Sequence, residues 1–269
     1  MARIKSVAQM TGSFSNISMY TMHGSDQVII RTKGGPSKKQ IKTAPQFEGL
    51  RRNNSEWAGC TKMGSDIRNS FFAMKRLEDY PVTGSLNSIC KQIQKADTVN
   101  ELGKRGVYLS RHKEMLVGFC FSKKQVLESV LRVPIKTTLD REKGEAQVDI
   151  QAINADMYLY NFRKLPYFRI IGVIGGVCDK TYIADENKYD NLHDNYYDEQ
   201  NGVYESEWMP TMGVLPALSF TLHYPLVDNP IPDDVTIILS VGIEFGQVSY
   251  DGKPVGVKYA GCGKVMMVG

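Results

Sequence analysis

Along residues 235–245 the chain reads VTIILSVGIEF, with Val235, Ile237, Leu239, Val241, Ile243 and Phe245 at every second position and Thr236, Ser240, Gly242 and Glu244 between them. Side chains of an extended strand alternate between its two faces, so this pattern predicts a long, half-buried β-strand. An Asp251-Gly252 turn and then Val255, Val257 and Tyr259 at alternating positions predict a hairpin partner. Further strand-like stretches lie at 107–109, 115–121, 146–152, 168–177, 218–224 and 264–268. One helix is expected among them at 122–131, with Ser122 and Gln125 as a capping box. Many strands at short spacing with Pro and Gly turns imply a mainly β fold with an antiparallel, sandwich-like body, not a parallel sheet of βαβ units.

The first hundred residues follow other periods. Residues 1–15 are polar, basic and small without a sustained repeat, and read as an arm. Ile17, Met19 and Thr21 alternate with polar neighbours, His23-Gly24-Ser25-Asp26 has turn chemistry, and 27–32 is rich in strand formers, which predicts a hairpin ended by Gly34-Gly35-Pro36. Thr43 and Gln46 form an expected capping box around Pro45. Beyond it Phe47, Leu50, Trp57, Cys60, Gly64, Ile67, Phe71 and Met74 fall along one helical stripe, with Arg51, Arg52, Lys62 and Arg68 on the other face. Gly49, Gly59 and Gly64 weaken such a helix by about 1 kcal/mol each relative to Ala. Ser85 is the expected cap of a second helix carrying Leu86, Ile89, Cys90 and Ile93, and Asp97 of a third ending near Gly103 or Gly106. This division gives a basic arm, hairpin and helical region over 1–104 and a β-sandwich-like domain over 105–269.

Charge sharpens the division. The net charge of +4 conceals thirteen Lys and Arg against four acids up to Arg76, and eight acids against Lys188 alone over 185–207. Five cysteines, Cys60, Cys90, Cys120, Cys178 and Cys262, stand far apart with no close pair, which favours packed, reduced thiols over a disulfide framework or a zinc site. No secretion signal is visible, and the longest apolar runs fall short of the ~20 residues that span a bilayer. A cytoplasmic protein without membrane insertion is the resulting expectation.

Gly12-Ser13-Phe14-Ser15, the Gly34-Gly35-Pro36 break, the helix start from Phe47 to Trp57 and the segment Leu116-Val117-Gly118-Phe119-Cys120-Phe121-Ser122 resemble a group of uncharacterised proteins of Bacteroidota genomes. The resemblance implies a short basic helical N-terminal region ahead of a β-rich remainder, and transfers no functional site.

Searching for chemistry gives exclusions. Gly172, Gly175 and Gly176 follow an apolar run, but their spacing is not that of a dinucleotide fingerprint, and they read as glycines of a buried strand. No phosphate-binding loop and no G-x-S-x-G elbow occurs. His23, His112, His193 and His223 have no partner at metal-ligand spacing. The acidic residues of 185–207 do not keep a calcium-loop register, so that stretch reads as a solvated loop, and Tyr182, Tyr189, Tyr196, Tyr197, Tyr204 and Trp208 make it a candidate docking surface. No catalytic residue, metal or cofactor is assigned. The leading expectation is a non-enzymatic assembly protein that forms a homo-oligomer or docks on a protein partner. Its basic contacts would be Arg31, Lys33, Lys38, Lys39, Lys42, Arg51 and Arg52, and its acidic and aromatic contacts Asp190, Asp194, Tyr196, Tyr197 and Asp198. A nucleic-acid- or carbohydrate-binding module is the alternative, and a hydrolase with dispersed carboxylates the third reading.

Overall fold

The computed structural model of the chain describes residues 2–4, 11–21, 27–191, 200–225 and 230–269. It divides into two compact units, Met1–Arg51 and Arg52–Gly269, and is strand-rich with several antiparallel sheets.

In the first unit the strands β1 (Ala2–Ile4), β2 (Gly12–Phe14), β3 (Ile17–Thr21) and β4 (Val28–Thr32) form one antiparallel sheet in the order β1-β4-β3-β2. The predicted hairpin is the β3–β4 pair, with Tyr20 opposite Ile29; its turn lies outside the described residues. The stretch expected to be a featureless arm supplies both outer strands, each three residues long and too short to carry a period. Helix α1 (Lys38–Thr43) follows. Its cap is Ser37, which accepts from the Gln40 backbone N–H at 3.2 Å while the Gln40 side chain accepts from Ser37 N at 2.7 Å. The capping box therefore lies one element earlier than expected, and Thr43, whose hydroxyl donates to Lys39 O at 2.9 Å, ends this helix and starts no other. A 3-10 turn at Pro45–Phe47 leads into α2 (Glu48–Ser70).

The second unit continues through a 3-10 turn at Phe72–Leu77, α3 (Thr83–Ala96), α4 (Leu127–Val130), β5 (Ile135–Asp140), β6 (Glu145–Ile150), β7 (Ile153–Asn154), α5 (Ala155–Tyr158) and β8 (Tyr167–Cys178). It closes with β9 (Lys180–Ile183), β10 (Lys188–Asn191), β11 (Asn201–Glu205), β12 (Met209–Pro210), β13 (Val214–Leu215), β14 (Leu218–His223), β15 (Val235–Val248) and β16 (Pro254–Val268). The central sheet runs β11-β8-β15-β16, with β12 also paired to β8, and a second sheet runs β14-β6-β5. One core fills the space between the two sheets, joining Val235, Ile237, Leu239, Val241, Ile243 and Phe245 to Ala146, Val148, Phe220 and Leu222. A second core lies on the opposite face of the central sheet, where Cys60, Met63, Ile67, Phe71 and Met74 meet Ile171, Val173, Ile238 and Val265.

Strand β15 is thus buried on both faces from Val235 to Gly246, not half-buried. Its apolar face lies where alternation places it. Its other face, small or polar in sequence except for Ile238, is covered because α2 and the turn after it pack there: a Cβ at Gly242 would stand 3.1 Å from the Met74 sulfur. The strand glycines serve the same close approach. A Cβ at Gly172 would meet the Phe220 ring at 2.6 Å, on the side where Tyr204 and Phe220 stack with centroids 3.9 Å apart, and one at Gly175 would collide with the Ser70 carbonyl at the end of α2. Within α2, Gly59 seats the Tyr189 ring and Gly64 the Asn87 side chain, so two glycines that weaken the isolated helix are what let it pack.

Several local expectations give way to tertiary contacts. Residues 107–109 and 115–121 form 3-10 turns at Leu109–Arg111 and Lys113–Leu116 with single bridges, Val107 to Lys180 and Cys120 to Lys264, because an apolar run alone does not fix an extended backbone. The helix expected at 122–131 is only α4, since Asp79 reaches across to accept from Ser122 Oγ at 2.7 Å, Lys123 N at 2.9 Å and Lys124 N at 3.0 Å. Asp97 caps no helix; its carboxylate accepts from the backbone N–H groups of Val99, Asn100 and Gly106 and fixes a loop. Helix α3 begins at Thr83, two residues before the expected Ser85 cap. Residues 264–268 end the long strand β16 and are not a strand of their own.

Candidate functional site

The basic residues singled out in sequence fall into three settings. Lys38, Lys39 and Lys42 are exposed on α1, which buries none of its residues. Arg31 lies over the Tyr20 ring at 5.2 Å and Lys33 donates to Ser15 O at 2.8 Å. Arg51 is structural: its Nη1 donates to Ile41 O and Ala44 O, both at 2.9 Å, closing the C-terminal turn of α1. Arg52 belongs to the second unit, where its stem lines the site of Gly103, a residue held at φ +101°.

The acidic stretch is more ordered than a solvated loop, since 188–191 and 201–205 are the strands β10 and β11. Asp190 accepts from Lys62 Nζ at 2.6 Å and faces Lys188 at 3.2 Å; the Lys62 hydrogen bond leads in holding its carboxyl down at about 2. Tyr189 is buried against α2, Tyr204 stacks on Phe220, and Trp208 lies under the Arg169 guanidinium at 4.6 Å, so these three rings serve the core and its rim. Asp194, Tyr196, Tyr197 and Asp198 lie outside the described residues, as do His23 and His193.

Three charged groupings were not read from the sequence. In the first, Glu56 is wholly buried on α2, where its carboxylate accepts from Arg105 Nε and Nη2 at 2.7 Å each, Lys91 Nζ at 2.7 Å and Gly103 N at 2.9 Å. Burial pushes its pKa up, but these bonds outweigh burial and bring it to about 2. In the second, Arg169 of β8 donates to Glu244 of β15 at 2.7 Å and also binds Glu205 of β11, which Arg76 grips from the turn after α2. This neutral foursome ties the helical layer to three strands. A charged residue at an inward position of each apolar strand, Arg169 in YFRIIGV and Glu244 in GIEFG, is the sequence signal that could have found it.

The third grouping lines an open cleft of about 590 Å³ bounded by Lys75, Glu78, Asp79, Tyr80, Pro81, Lys124, Arg163 and Tyr259. Its acids are engaged inward: Arg68 holds Glu78 through bonds of 3.1 and 2.6 Å, and Asp79 accepts the three donors of the 122–124 turn. Its outer wall joins two strained turns, because Arg163 Nη1 donates to Lys258 O at 3.3 Å while Lys164 and Tyr259 sit at φ +52° and +58°. Tyr259 lies in the bulge where residues 257–260 of β16 oppose Phe245 alone, between the pairs Glu244–Gly261 and Gly246–Gly256.

Comparisons with protein-family models, curated proteins and solved structures return no match. Among the described residues no cluster of three His, Cys, Asp or Glu is arranged to hold a metal ion. No helix there is long and apolar enough to cross a membrane. All five cysteines are free thiols; Cys120 is partly exposed, and burial pushes the Cys60 thiol up to about 11.

Proposed function

We propose that the chain is a non-enzymatic assembly protein whose N-terminal unit is its docking element, forming homo-oligomers or seating on a protein partner. One observation carries this reading: among the described residues of Met1–Arg51 only Val28 and Ile29 are buried apolar side chains. A sheet and helix with so small a core gain little from their own packing, and a partner surface supplies the missing burial. The outer edges of β1 and β2 pair with no other strand among the described residues, and Phe14 on β2 is 74% exposed. Such an edge is a template for strand addition. Eight Lys and Arg against two acids over 1–51 give the unit a charge that steers it toward acidic surfaces.

Light scattering of the full chain at micromolar concentration checks the reading. The expected mass is a multiple of the 30.2 kDa monomer at low salt and falls toward the monomer at about 1 M salt, where screening acts within about 3 Å. Phe14→Asp and the triple change Lys38→Glu, Lys39→Glu, Lys42→Glu are each expected to shift the same series toward monomer. A monomer at low salt that captures no acidic protein surface would end the proposal.

A further inference from the structure

We propose that the cleft between Lys75, Lys124, Arg163 and Tyr259 binds a nucleotide unit, its base stacked on Tyr259 and its phosphate held by the three cations. This is a second site, within Arg52–Gly269, and does not depend on the docking role of the N-terminal unit.

Tyr259 is the first reason. A bulky side chain at φ +58° is a backbone outlier, and such strain persists where the surroundings impose it for a purpose other than local comfort. Core packing is not that purpose, since the ring is 59% exposed. What the bulge achieves is to turn a large aromatic face out of the sheet edge and over the cleft. The neighbouring turn repeats the device: Lys164, also at positive φ, sets Arg163 on the same rim, with the Asn161 side chain fixing the turn by accepting from Leu165 N at 3.0 Å.

Charge is the second reason. Lys75, Lys124 and Arg163 are exposed and have no carboxylate within ion-pairing distance among the described residues, whereas the two acids of the lining are each committed to other donors. The cleft thus offers three cations without a carboxylate partner around an aromatic face, Lys75 and Arg163 resting over the Phe72 and Phe162 rings at 5.5 and 5.9 Å, the combination that binds phosphate and base together. A neutral sugar fits less well. The second ring, Tyr80, carries Lys123 Nζ over one face at 4.4 Å and donates its hydroxyl to Cys120 O at 2.9 Å, so that face is already taken by a cation and is not open to a stacked pyranose.

The test is fluorescence anisotropy of the full chain with a labelled oligothymidylate, and competition by thymidine monophosphate. Expected is salt-dependent binding. Tyr259→Ala should weaken it about tenfold, and the pair Lys75→Ala, Arg163→Ala should lower the slope of log K against log salt by about 1.4. Tyr259→Gly is the decisive variant, because glycine accepts the backbone: it should weaken binding as much as Tyr259→Ala while leaving the urea midpoint unchanged or raised. Competition by the monophosphate at comparable affinity identifies a free nucleotide as the ligand, and oligonucleotide binding alone identifies a single strand. No binding of either probe at low salt overturns the proposal. So does binding that survives Tyr259→Gly and is lost in Lys38→Ala, Lys39→Ala, Lys42→Ala, which would place it on α1.

Discussion

Glu56→Ala is expected to lower the unfolding free energy by roughly 3–5 kcal/mol, the cost of removing one partner from a buried ion-paired network. The carboxylate accepts four hydrogen bonds, and its loss leaves Arg105 and Lys91, both mostly buried, facing a hole beside the Gly103 N–H. Urea unfolding followed by circular dichroism measures it, and a change under about 1 kcal/mol would mean that water replaces the carboxylate. The same group predicts an acid limb. Its pKa is about 2 when folded against 4.5 as the ordinary value, so its contribution is complete above about pH 4.5 and is lost as pH falls from there toward 2. In Glu56→Gln the stability should vary less with pH across that window. Asp190, also held down at about 2, titrates in the same range and leaves a residual slope.

Gly175→Ala is expected to cost about 3 kcal/mol, at the upper end for overpacking. The added methyl would press on the Ser70 carbonyl and Cβ, and backbone at the end of a 23-residue helix does not rotate aside as a side-chain tip does. The smaller unfolded-state entropy of Ala offsets less than 1 kcal/mol of this. Gly84→Ala is the control: its Cβ would enter open space in the first turn of α3, and stability should stay equal or rise slightly. If the two variants unfold at the same urea concentration, α2 does not rest on β8 as closely as described.

The chain's outline was legible wherever a period ran long enough to dominate. Alternation over 235–245, broken only by Ile238, located β15 and the face it turns to the second sheet, and the later part of the helical stripe, Cys60, Ile67, Phe71 and Met74, located the core side of α2 and the turn beyond it, whereas Leu50 and Trp57 at its start are exposed. Short elements were not legible: β1 and β2 have three residues each, and their pairing is decided by strands β4 and β3 elsewhere in the chain. Nor was the cleft. Lys75, Lys124, Arg163 and Tyr259 are separated by up to 184 positions, and nothing local to Tyr259 announces a positive φ.

The sequence by itself determined a mainly β chain with one long hairpin, an amphipathic helix ahead of it and opposite charge at two places, because side-chain direction and charge are local properties. Only the tertiary structure decided that the second face of β15 is covered, that strand glycines are contact points for a ring and a helix end, and that buried Glu56 has partners from two other chain segments, Lys91 of α3 and the loop at 103–105. Each of these depends on which distant surfaces meet, and packing chooses those by shape and burial across the whole fold.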